Sequence, residues 1–298
     1  MRYRIRHTTK YAYSEPVAVC HNLVRLAPRA TERQAVRSYR LVVAPEPSDL
    51  VQRDDPLGNR VDYFSIQEAH HGLSLSAFSE IEVKESANES AGAVMGSTTV
   101  EQLQEDLRRR DKPNTAEAYR FVFPSHHVPL LHRLKQYSEV SFAPTRSVIE
   151  GARELTTRIY NDFEYDPRAT NVSTPISEAF EKRAGVCQDF AHLQIACLRT
   201  LGVPARYVSG YLRTIPPEGQ ERLVGADASH AWVSVYCGSA GWVDFDPTND
   251  CIPGGDHVTV GYGRDYADVC PIQGVFVGGG QHTMEVSVDV EPLSASAK

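Results

Sequence analysis

The spacing of the apolar residues changes twice along this chain of 298 residues. Each change reduces the number of fold classes that the chain can adopt. In residues 1 to about 85, short apolar or alternating runs are separated by turn signals, which is typical of β-strands. From about residue 100 to residue 201 the apolar residues recur at helical spacing, as Val148 and Ala152 do. Strand-like runs return from residue 205 to residue 290. The chain is therefore predicted to contain strands, then helices, then strands.

The order of these blocks predicts a fold class and a division into domains. Several short strands at this spacing indicate an antiparallel sandwich or small barrel. Helices followed by antiparallel strands indicate an α+β core. Residues 85–99, with many Ser, Gly and Asn and few apolar residues, form the predicted linker. We therefore predict an all-β N-terminal domain in residues 1–90 and an α+β core in residues 91–298.

The charge balance and the hydropathy give no sign of a nucleic-acid or membrane partner. The formal net charge is −7, from 31 basic and 38 acidic residues, and the longest basic run, Arg108–Arg110, follows two acidic residues. Such a run is typical of a solvated helix face. No segment approaches the ~18 to 20 apolar residues of a membrane helix, and the basic N-terminus lacks the apolar segment of a secretory signal. We therefore expect a cytoplasmic protein.

Six cysteines are scattered along the chain, and no two of them form a C-x-x-C motif. We therefore expect no disulfide framework. No pair of His or Cys residues has the spacing of a structural zinc site. We expect no metal and no organic cofactor. Most of these thiols are expected to be small buried hydrophobic groups.

Cys187 is the one cysteine whose position indicates chemistry. The pattern predicts a helix that begins at this residue and runs to about Leu201, where Gly202 ends it. In the first turn, free N–H groups and the positive end of the helix stabilise a thiolate, and the same N–H groups can hold an oxyanion. The alternative interpretation is that Cys187 is a small packing residue. Cys197 lies on the apolar stripe of the helix and is interpreted as such a residue.

A cysteine nucleophile needs a base and a group that orients the base. His230 begins a predicted strand, and a Gly-Ser-Ala-Gly turn leads to a second strand that carries Asp244 and Asp246. If the turn has an odd number of residues, Asp246 lies diagonal to His230, about 7–8 Å away between Cα atoms. With an even number and no bulge, Asp246 faces away from His230. The sequence leaves this choice open.

Three motifs in this order resemble the core of the transglutaminase-like superfamily. They are Gly-Val-Cys-Gln-Asp-Phe-Ala from residue 185, His-Ala-Trp from residue 230 and Gly-Trp-x-x-x-Asp-Pro-Thr from residue 241. The resemblance implies a papain-like triad of Cys187, His230 and Asp246, with helices packed on an antiparallel sheet. The resemblance extends to a bacterial subgroup that has its own N-terminal β domain and is proposed to consist of cysteine proteases. The parts that look like this subgroup are residues 1–85, including Gly58-Asn59, and residues 263–271.

The resemblance implies acyl transfer from peptide or amide bonds of a peptide or protein substrate, through a thioester. We favour hydrolysis, as by a cysteine protease or amidase, because bacterial relatives of this type are usually regarded as cysteine proteases. A protein-glutamine transamidase is the alternative, and a non-catalytic binding module on the same fold is another. Residues 183–187 also resemble the nucleophile region of arylamine N-acetyltransferases, but Gln188 and the rest of the chain do not follow that pattern.

Two further residues are candidates for binding the oxyanion or the substrate. Tyr165 lies upstream of the nucleophile, where superfamily members often provide a second oxyanion donor, although a half-buried strand aromatic is the alternative. Gln188 follows Cys187 directly and is equally consistent with an exposed residue of the first turn. Asp189 is interpreted as a favourable first-turn charge. His192 lies roughly 140° around the helix from Cys187 and is poorly placed as the base.

Overall fold

The computed structural model describes residues 1–84, 98–110, 114–214 and 228–293. Most of the predicted linker, residues 85–99, lies outside the described residues. The first part of the chain forms five antiparallel strands. They are β1 (Arg2–Val24), β2 (Gln34–Ala44), β3 (Asp49–Asp54), β4 (Arg60–Ile66) and β5 (His70–Val83).

Strand β1 is the centre of this N-terminal sheet. It is 23 residues long and pairs antiparallel with both β5 and β4, which gives the order β2-β5-β1-β4-β3. Along β5 every second residue from Leu73 to Val83 is buried, as expected for a strand with one face on a core. Phe64 and Ile66 of β4 pack into the same core as Leu75 of β5. The all-β character predicted for the N-terminal region is confirmed.

The last two strands of the chain join the same sheet. β12 (Ile272–Gly278) and β13 (His282–Leu293) both pair antiparallel with β1. We predicted a strand over residues 284–290 but assigned it to the core of residues 91–298. The strand belongs to the N-terminal sheet because it pairs with β1, at the opposite end of the chain. Local sequence patterns do not predict such long-range pairing. The division at residue 90 stays a prediction, but the chain's C-terminal strands complete the N-terminal sheet.

The middle of the chain is helical and surrounds one central helix, α6. The helices are α1 (Val100–Arg109), α2 (Thr115–Tyr119), α3 (His132–Glu139), α4 (Val148–Asp162), α5 (Ile176–Lys182), α6 (Cys187–Thr200) and α7 (Tyr266–Val269). Every residue of α6 from Asp189 to Arg199 is buried, because α3, α4 and α5 pack on one side and a second sheet on the other. No described helix is long and apolar enough to span a bilayer.

The second sheet has four antiparallel strands in the order β10-β9-β8-β11. They are β8 (Ala205–Leu212), β9 (Ala228–Tyr236), β10 (Trp242–Phe245) and β11 (His257–Gly263). Two-residue strands β6 (Glu164–Tyr165) and β7 (Ala184–Gly185) pair beside the start of α6. Tyr211 and Val258 of the second sheet share a buried cluster with Tyr3 and Ile5 of β1, so the two sheets are in contact. The predicted α+β class, with helices on an antiparallel sheet behind an all-β region, is confirmed.

Candidate active site

Cys187 is the first residue of α6, and Val186 caps the helix. The turn is fixed by Asp189, whose Oδ2 accepts hydrogen bonds from the Val186 N–H at 2.9 Å and from the Thr170 hydroxyl at 2.5 Å. A Cβ on Gly185 would lie 2.6 Å from the same oxygen, so glycine is needed there for the carboxylate to pack. Asp189 therefore builds the helix start, and the Cys187 thiol remains half-buried at the end where helix N–H groups lack intrahelical partners.

His230 and the two candidate carboxylates lie on the hairpin of β9 and β10. Asp244 pairs with Ser234, and the loop between the strands spans residues 237–241, an odd number. Continuing this register places Asp246 diagonal to His230. The hairpin thus takes the odd-loop alternative, in which Asp246 rather than Asp244 can approach His230.

The His230 ring lies between the Cys187 and Asp246 side chains. Its Nε2 atom is 2.7 Å from Asp246 Oδ2, and the Cys187 side chain lies close enough to the ring to raise the pKa of His230. Since Nε2 is engaged by the carboxylate, Nδ1 is the nitrogen left to face the sulfur. The side chains of His230 and Asp246 are 7% and 0% exposed, so water competes little for the hydrogen bond between them. All three residues predicted from the sequence are brought together.

Burial and hydrogen bonding act in opposite directions on the two charged groups. Burial lowers the pKa of His230, but interactions with Asp246 and Cys187 outweigh it and raise the pKa to about 10. Burial raises the pKa of Asp246, but hydrogen bonds from His230, His257 and Asn249 outweigh it and hold that pKa well below its usual range. At neutral pH the pair is therefore an imidazolium and a carboxylate.

Asp246 receives hydrogen bonds from several further groups. Asn249 Nδ2 donates to its Oδ2 at 2.7 Å, and the Thr248 N–H donates to its Oδ1 at 2.9 Å. His257 Nε2 lies 3.1 Å from Oδ2. The backbone of Asp246 pairs with that of Cys251 in an isolated bridge. The carboxylate is thus held in position from both of its oxygens and from its main chain.

Neither His257 nor Asn249 was predicted from the sequence. Asn249 carried a weak local signal, because it lies three residues after Asp246 in an Asp-Pro-Thr-Asn turn where such side chains hydrogen-bond nearby backbone. His257 carried none. It reaches Asp246 because β11 pairs with β8 across the sheet, and local periodicity does not predict that pairing.

Asp244 has a different role on the same strand. Its Oδ2 accepts a hydrogen bond from Trp232 Nε1 at 3.0 Å. The Trp232 ring lies beside His230 and edge-on to His257, with ring centroids 6.0 and 5.3 Å apart. A Cβ on Gly210 would lie 2.4 Å from Trp232, so the glycine makes room for the indole. Asp244 therefore fixes an indole that packs against both histidines.

Tyr165 and Gln188 occupy different environments near the thiol. Tyr165 is 53% exposed rather than half-buried, and its ring packs edge-on to Phe190 of α6. Burial, followed by the charge of Cys187, raises the pKa of the Tyr165 hydroxyl, which therefore stays protonated. The Gln188 side-chain amide donates to the Val172 carbonyl at 3.4 Å. Tyr165 is thus the freer hydrogen-bond donor of the two.

Two buried rings lie behind the start of α6. His192 Nε2 accepts a hydrogen bond from the Tyr266 N–H at 3.1 Å, and burial lowers its pKa to about 3. This histidine is neutral and already engaged, so it is not placed to act as the base. Tyr207 is fully buried, and burial followed by the charge of Cys187 raises its pKa well above the usual value. Tyr207 was not singled out from the sequence.

One group of side chains among the described residues has ligand atoms close enough to hold a metal ion. His230, Asp246 and His257 place these atoms within 4.8 Å of one another. Both rings, however, hydrogen-bond to the same carboxylate oxygen. An ion would have to displace those hydrogen bonds, so the arrangement fits a hydrogen-bonded carboxylate better than a metal centre.

Comparison with known proteins identifies the family. Residues 3–82 match the model of the bacterial transglutaminase-like N-terminal region, and residues 136–247 match that of the transglutaminase-like superfamily. An uncharacterized protein of Mycobacterium tuberculosis is 38% identical over 301 residues, covering 99% of this chain and 94% of that protein. The chain belongs to the transglutaminase-like superfamily. All three predicted residues lie within the core match, and the predicted resemblance is confirmed.

Two further relatives differ in how much of the chain they share. A protein-glutamine gamma-glutamyltransferase of Pseudomonas aeruginosa is 32% identical over 107 residues, which are 33% of this chain and 16% of that protein. A solved structure of a protein from Cytophaga hutchinsonii, proposed to be a cysteine protease, has a TM-score of 0.75 at 24% identity. It covers 99% of this chain and 92% of its own. The fold shared with that protein therefore extends over nearly the whole chain, including the N-terminal sheet.

Proposed function

We propose that this member of the transglutaminase-like superfamily is a cysteine-nucleophile enzyme that hydrolyses peptide or amide bonds through a thioester. Cys187 is the nucleophile, His230 the acid and base, and Asp246 the group that orients His230. The observation that carries the proposal is the position of the His230 ring, which lies near enough to Cys187 for that side chain to raise the pKa of His230 and hydrogen-bonds with Asp246 Oδ2.

In the first half of the reaction the Cys187 thiolate attacks the carbonyl carbon of the amide. A C–S bond forms, and the carbonyl electron pair moves to oxygen. The Cys187 N–H at the helix start and the Tyr165 hydroxyl donate hydrogen bonds to this oxyanion. When the oxyanion collapses, the C–N bond breaks and His230 gives its proton to the departing amine. The products are an acyl thioester and a free amine.

In the second half water attacks the thioester. His230, now neutral, takes a proton from the water as the C–O bond forms. The C–S bond breaks when the second tetrahedral intermediate collapses, and the carboxylic acid product leaves. The thiolate and imidazolium are then restored. Asp246 stays ionised throughout, because its role is to hold the ring and stabilise the imidazolium.

Transamidation is the second candidate, and one observation favours it. The P. aeruginosa relative that bears the name protein-glutamine gamma-glutamyltransferase is 32% identical over 107 residues. In that reaction a lysine amine would replace water in the second half, with the same thioester before it. The two candidates share Cys187, His230 and Asp246 and differ only in the acceptor.

Product masses distinguish the acceptors. The protein is incubated with peptide libraries, with and without a labelled primary amine, and the products are identified by mass spectrometry. Hydrolysis yields cleaved or deamidated peptides in both samples, whereas transamidation yields labelled peptides. Turnover should vanish in Cys187→Ala and persist in Cys197→Ala, which removes a buried thiol of the same helix. Turnover that survives Cys187→Ala would contradict the proposal.

A cytoplasmic location is part of the proposal. All six cysteines are free thiols, as is usual for proteins of a reducing compartment. Fractionation of the source cells, with a periplasmic and a cytoplasmic marker enzyme followed in parallel, tests this. Recovery of the protein with the periplasmic marker would contradict it.

A further inference from the structure

A cavity of about 1240 Å³ is lined in part by His257. Its wall combines residues 29–34 of the N-terminal region, the start of α4, and the β9–β10 hairpin. Cys187 and His230 are not among its lining residues, whereas His257 and Trp232 are. The cavity is therefore a separate space that adjoins the proposed active site through side chains in contact with Asp246 and Asp244.

The cavity contains a buried cation that lacks a hydrogen-bond partner among the described residues. Arg206 is only 9% exposed. Its guanidinium lies between two rings, 4.0 Å from the centroid of Trp242 and 3.6 Å from that of Tyr262. Its Nε atom is buried with no hydrogen bond in the described chain. The rings cover the faces of the guanidinium, so its N–H groups are available only at the edge.

Several other charged groups around the cavity are already engaged. Asp244 lies near enough to interact electrostatically with Arg206, but its Oδ2 accepts from Trp232. Asp250 accepts from Thr157 and pairs with Arg153. The same holds for three more lining groups, each bound to its own neighbour: Arg29 to Asn59, Glu150 to Ser147 and Glu154 to Arg146.

We propose that this cavity binds a carboxylate-bearing small molecule, whose carboxylate accepts two hydrogen bonds from the guanidinium edge of Arg206. A planar carboxylate matches the fork of N–H donors that a guanidinium presents at its edge. Leaving a buried charge without a partner is strongly unfavourable, and a bound carboxylate removes that penalty. A carboxylate brings a single negative charge to Arg206, even on a dicarboxylate whose second group lies elsewhere in the cavity, whereas a phosphate would bring up to two negative charges to the same point, in a cavity lined by Asp244, Asp250 and Glu150.

The chain's own tryptophans report on this cavity. It has only two, and both Trp232 and Trp242 line the cavity, with Trp242 stacked on the Arg206 guanidinium. A carboxylate that reaches Arg206 should therefore change the tryptophan emission. The experiment titrates the full chain with succinate, with inorganic phosphate, and with sodium chloride at matched ionic strength. The unfolding temperature is followed in the same samples.

We expect succinate to give a saturable change in emission and to raise the unfolding temperature, while phosphate and chloride give neither. Binding should weaken at least about tenfold in Arg206→Met, and also in Arg206→Lys, which keeps the charge but loses the fork. Arg108→Gln, which removes an exposed charge on α1, should bind succinate as the wild type does. The unfolding temperature of each variant without ligand shows that it is folded.

Three results would overturn the proposal. The first is a saturable succinate response that is unchanged in folded Arg206→Met. The second is a phosphate response stronger than the succinate response. The third is the absence of any saturable response to succinate in the wild type. Because binding is measured without turnover, the outcome does not depend on the proposed acyl transfer.

Discussion

Two buried charged side chains near each other on the second sheet, Asp246 and Arg206, differ in their hydrogen-bond partners. Asp246 is fully buried, and its carboxylate receives hydrogen bonds from His230, Asn249 and His257 in addition to backbone N–H groups. Arg206 is almost as deeply buried, but it stacks between aromatic rings with no hydrogen-bond partner among the described residues. The described residues supply hydrogen-bond partners for the Asp246 carboxylate and none for the Arg206 guanidinium.

This difference distinguishes the site around Asp246, which is complete without a ligand, from the cavity around Arg206, which is proposed to bind one. Burying a charge is tolerated when hydrogen bonds and an opposite charge compensate its lost hydration. The cluster around Asp246 meets that condition internally, which preorganises His230 against Cys187. The cavity around Arg206 does not, so its compensation has to come from a molecule that binds there. Substitutions at the two charges should therefore have very different effects.

The largest effect is expected for Asp246→Asn. It leaves the His230 imidazolium buried without its counter-charge, so the free energy of unfolding should fall by about 3–5 kcal/mol. The value of kcat should fall roughly 10³- to 10⁴-fold, because the ring loses its orienting carboxylate. Denaturant unfolding at neutral pH and steady-state kinetics measure these changes. In Asp244→Asn, the control on the same strand, a fall of only about 1–2 kcal/mol is expected; equal losses in the two variants would contradict the account.

The pH dependence of stability isolates His230. Its pKa is raised from 6.5 to about 10 in the folded protein, so the folded state binds the proton more tightly than the unfolded state. The resulting stabilisation is complete below pH 6.5 and is lost as the pH rises towards 10. A Cys187 thiolate in the folded protein would release a proton over the same interval and offset this decline. The decline is therefore measured in Cys187→Ala, where it should appear between pH 6.5 and 9.0, below the ordinary pKa of the buried cysteines.

Adding His230→Gln to Cys187→Ala provides the control for that decline. Its free energy of unfolding, from denaturant titrations at each pH, should stay flat over the same interval. A Cys187→Ala curve that is equally flat there would show that His230 gains no proton affinity on folding.

A smaller effect is expected for His257→Phe. The ring shape is kept, but one of the hydrogen bonds to Asp246 Oδ2 is lost, at about 1–2 kcal/mol. Because His230 and Asn249 still hold the carboxylate, kcat should fall about tenfold while KM stays nearly constant. The acid limb of the kcat profile should move upward in pH, as Asp246 becomes easier to protonate. An unchanged pH profile would mean that His257 does not act through Asp246.

The smallest effect is expected for Arg206→Met. Replacing an uncompensated buried cation with an apolar side chain of similar length should change the free energy of unfolding by less than about 1 kcal/mol, or raise it. The measurement is denaturant unfolding without added carboxylates. A loss of 3 kcal/mol or more, as at a charge with internal partners, would remove the distinction between the two sites.

The parts of the fold that depend on local patterning could be predicted from the sequence. The helix from Cys187 has its capping carboxylate, its buried stripe and its terminating Gly202 within one segment, and it was found with nearly the observed bounds. The strand over residues 205–212 was found with the bounds the structure gives. The hairpin could be predicted, but the odd number of residues in its loop could not, because the turn residues allow more than one loop length.

What could not be predicted depends on contacts between distant parts of the chain. His257 reaches Asp246 through pairing of β11 with β8, and β13 completes the N-terminal sheet by pairing with β1. The periodicity of these strands predicts neither their partners nor their pairing registers. The unpartnered Arg206 could not be found for the same reason, since its two rings come from β10 and β11.

The alkylation rate of Cys187 by iodoacetamide tests the central claim most directly, because only the thiolate reacts. Peptide mass mapping at about pH 6 should show Cys187 modified at least about tenfold faster than free cysteine. Cys251, a half-buried thiol whose pKa burial raises to about 12, should remain unmodified. In His230→Ala the Cys187 rate should drop to that of free cysteine. A Cys187 no more reactive than free cysteine in the wild type would contradict the account.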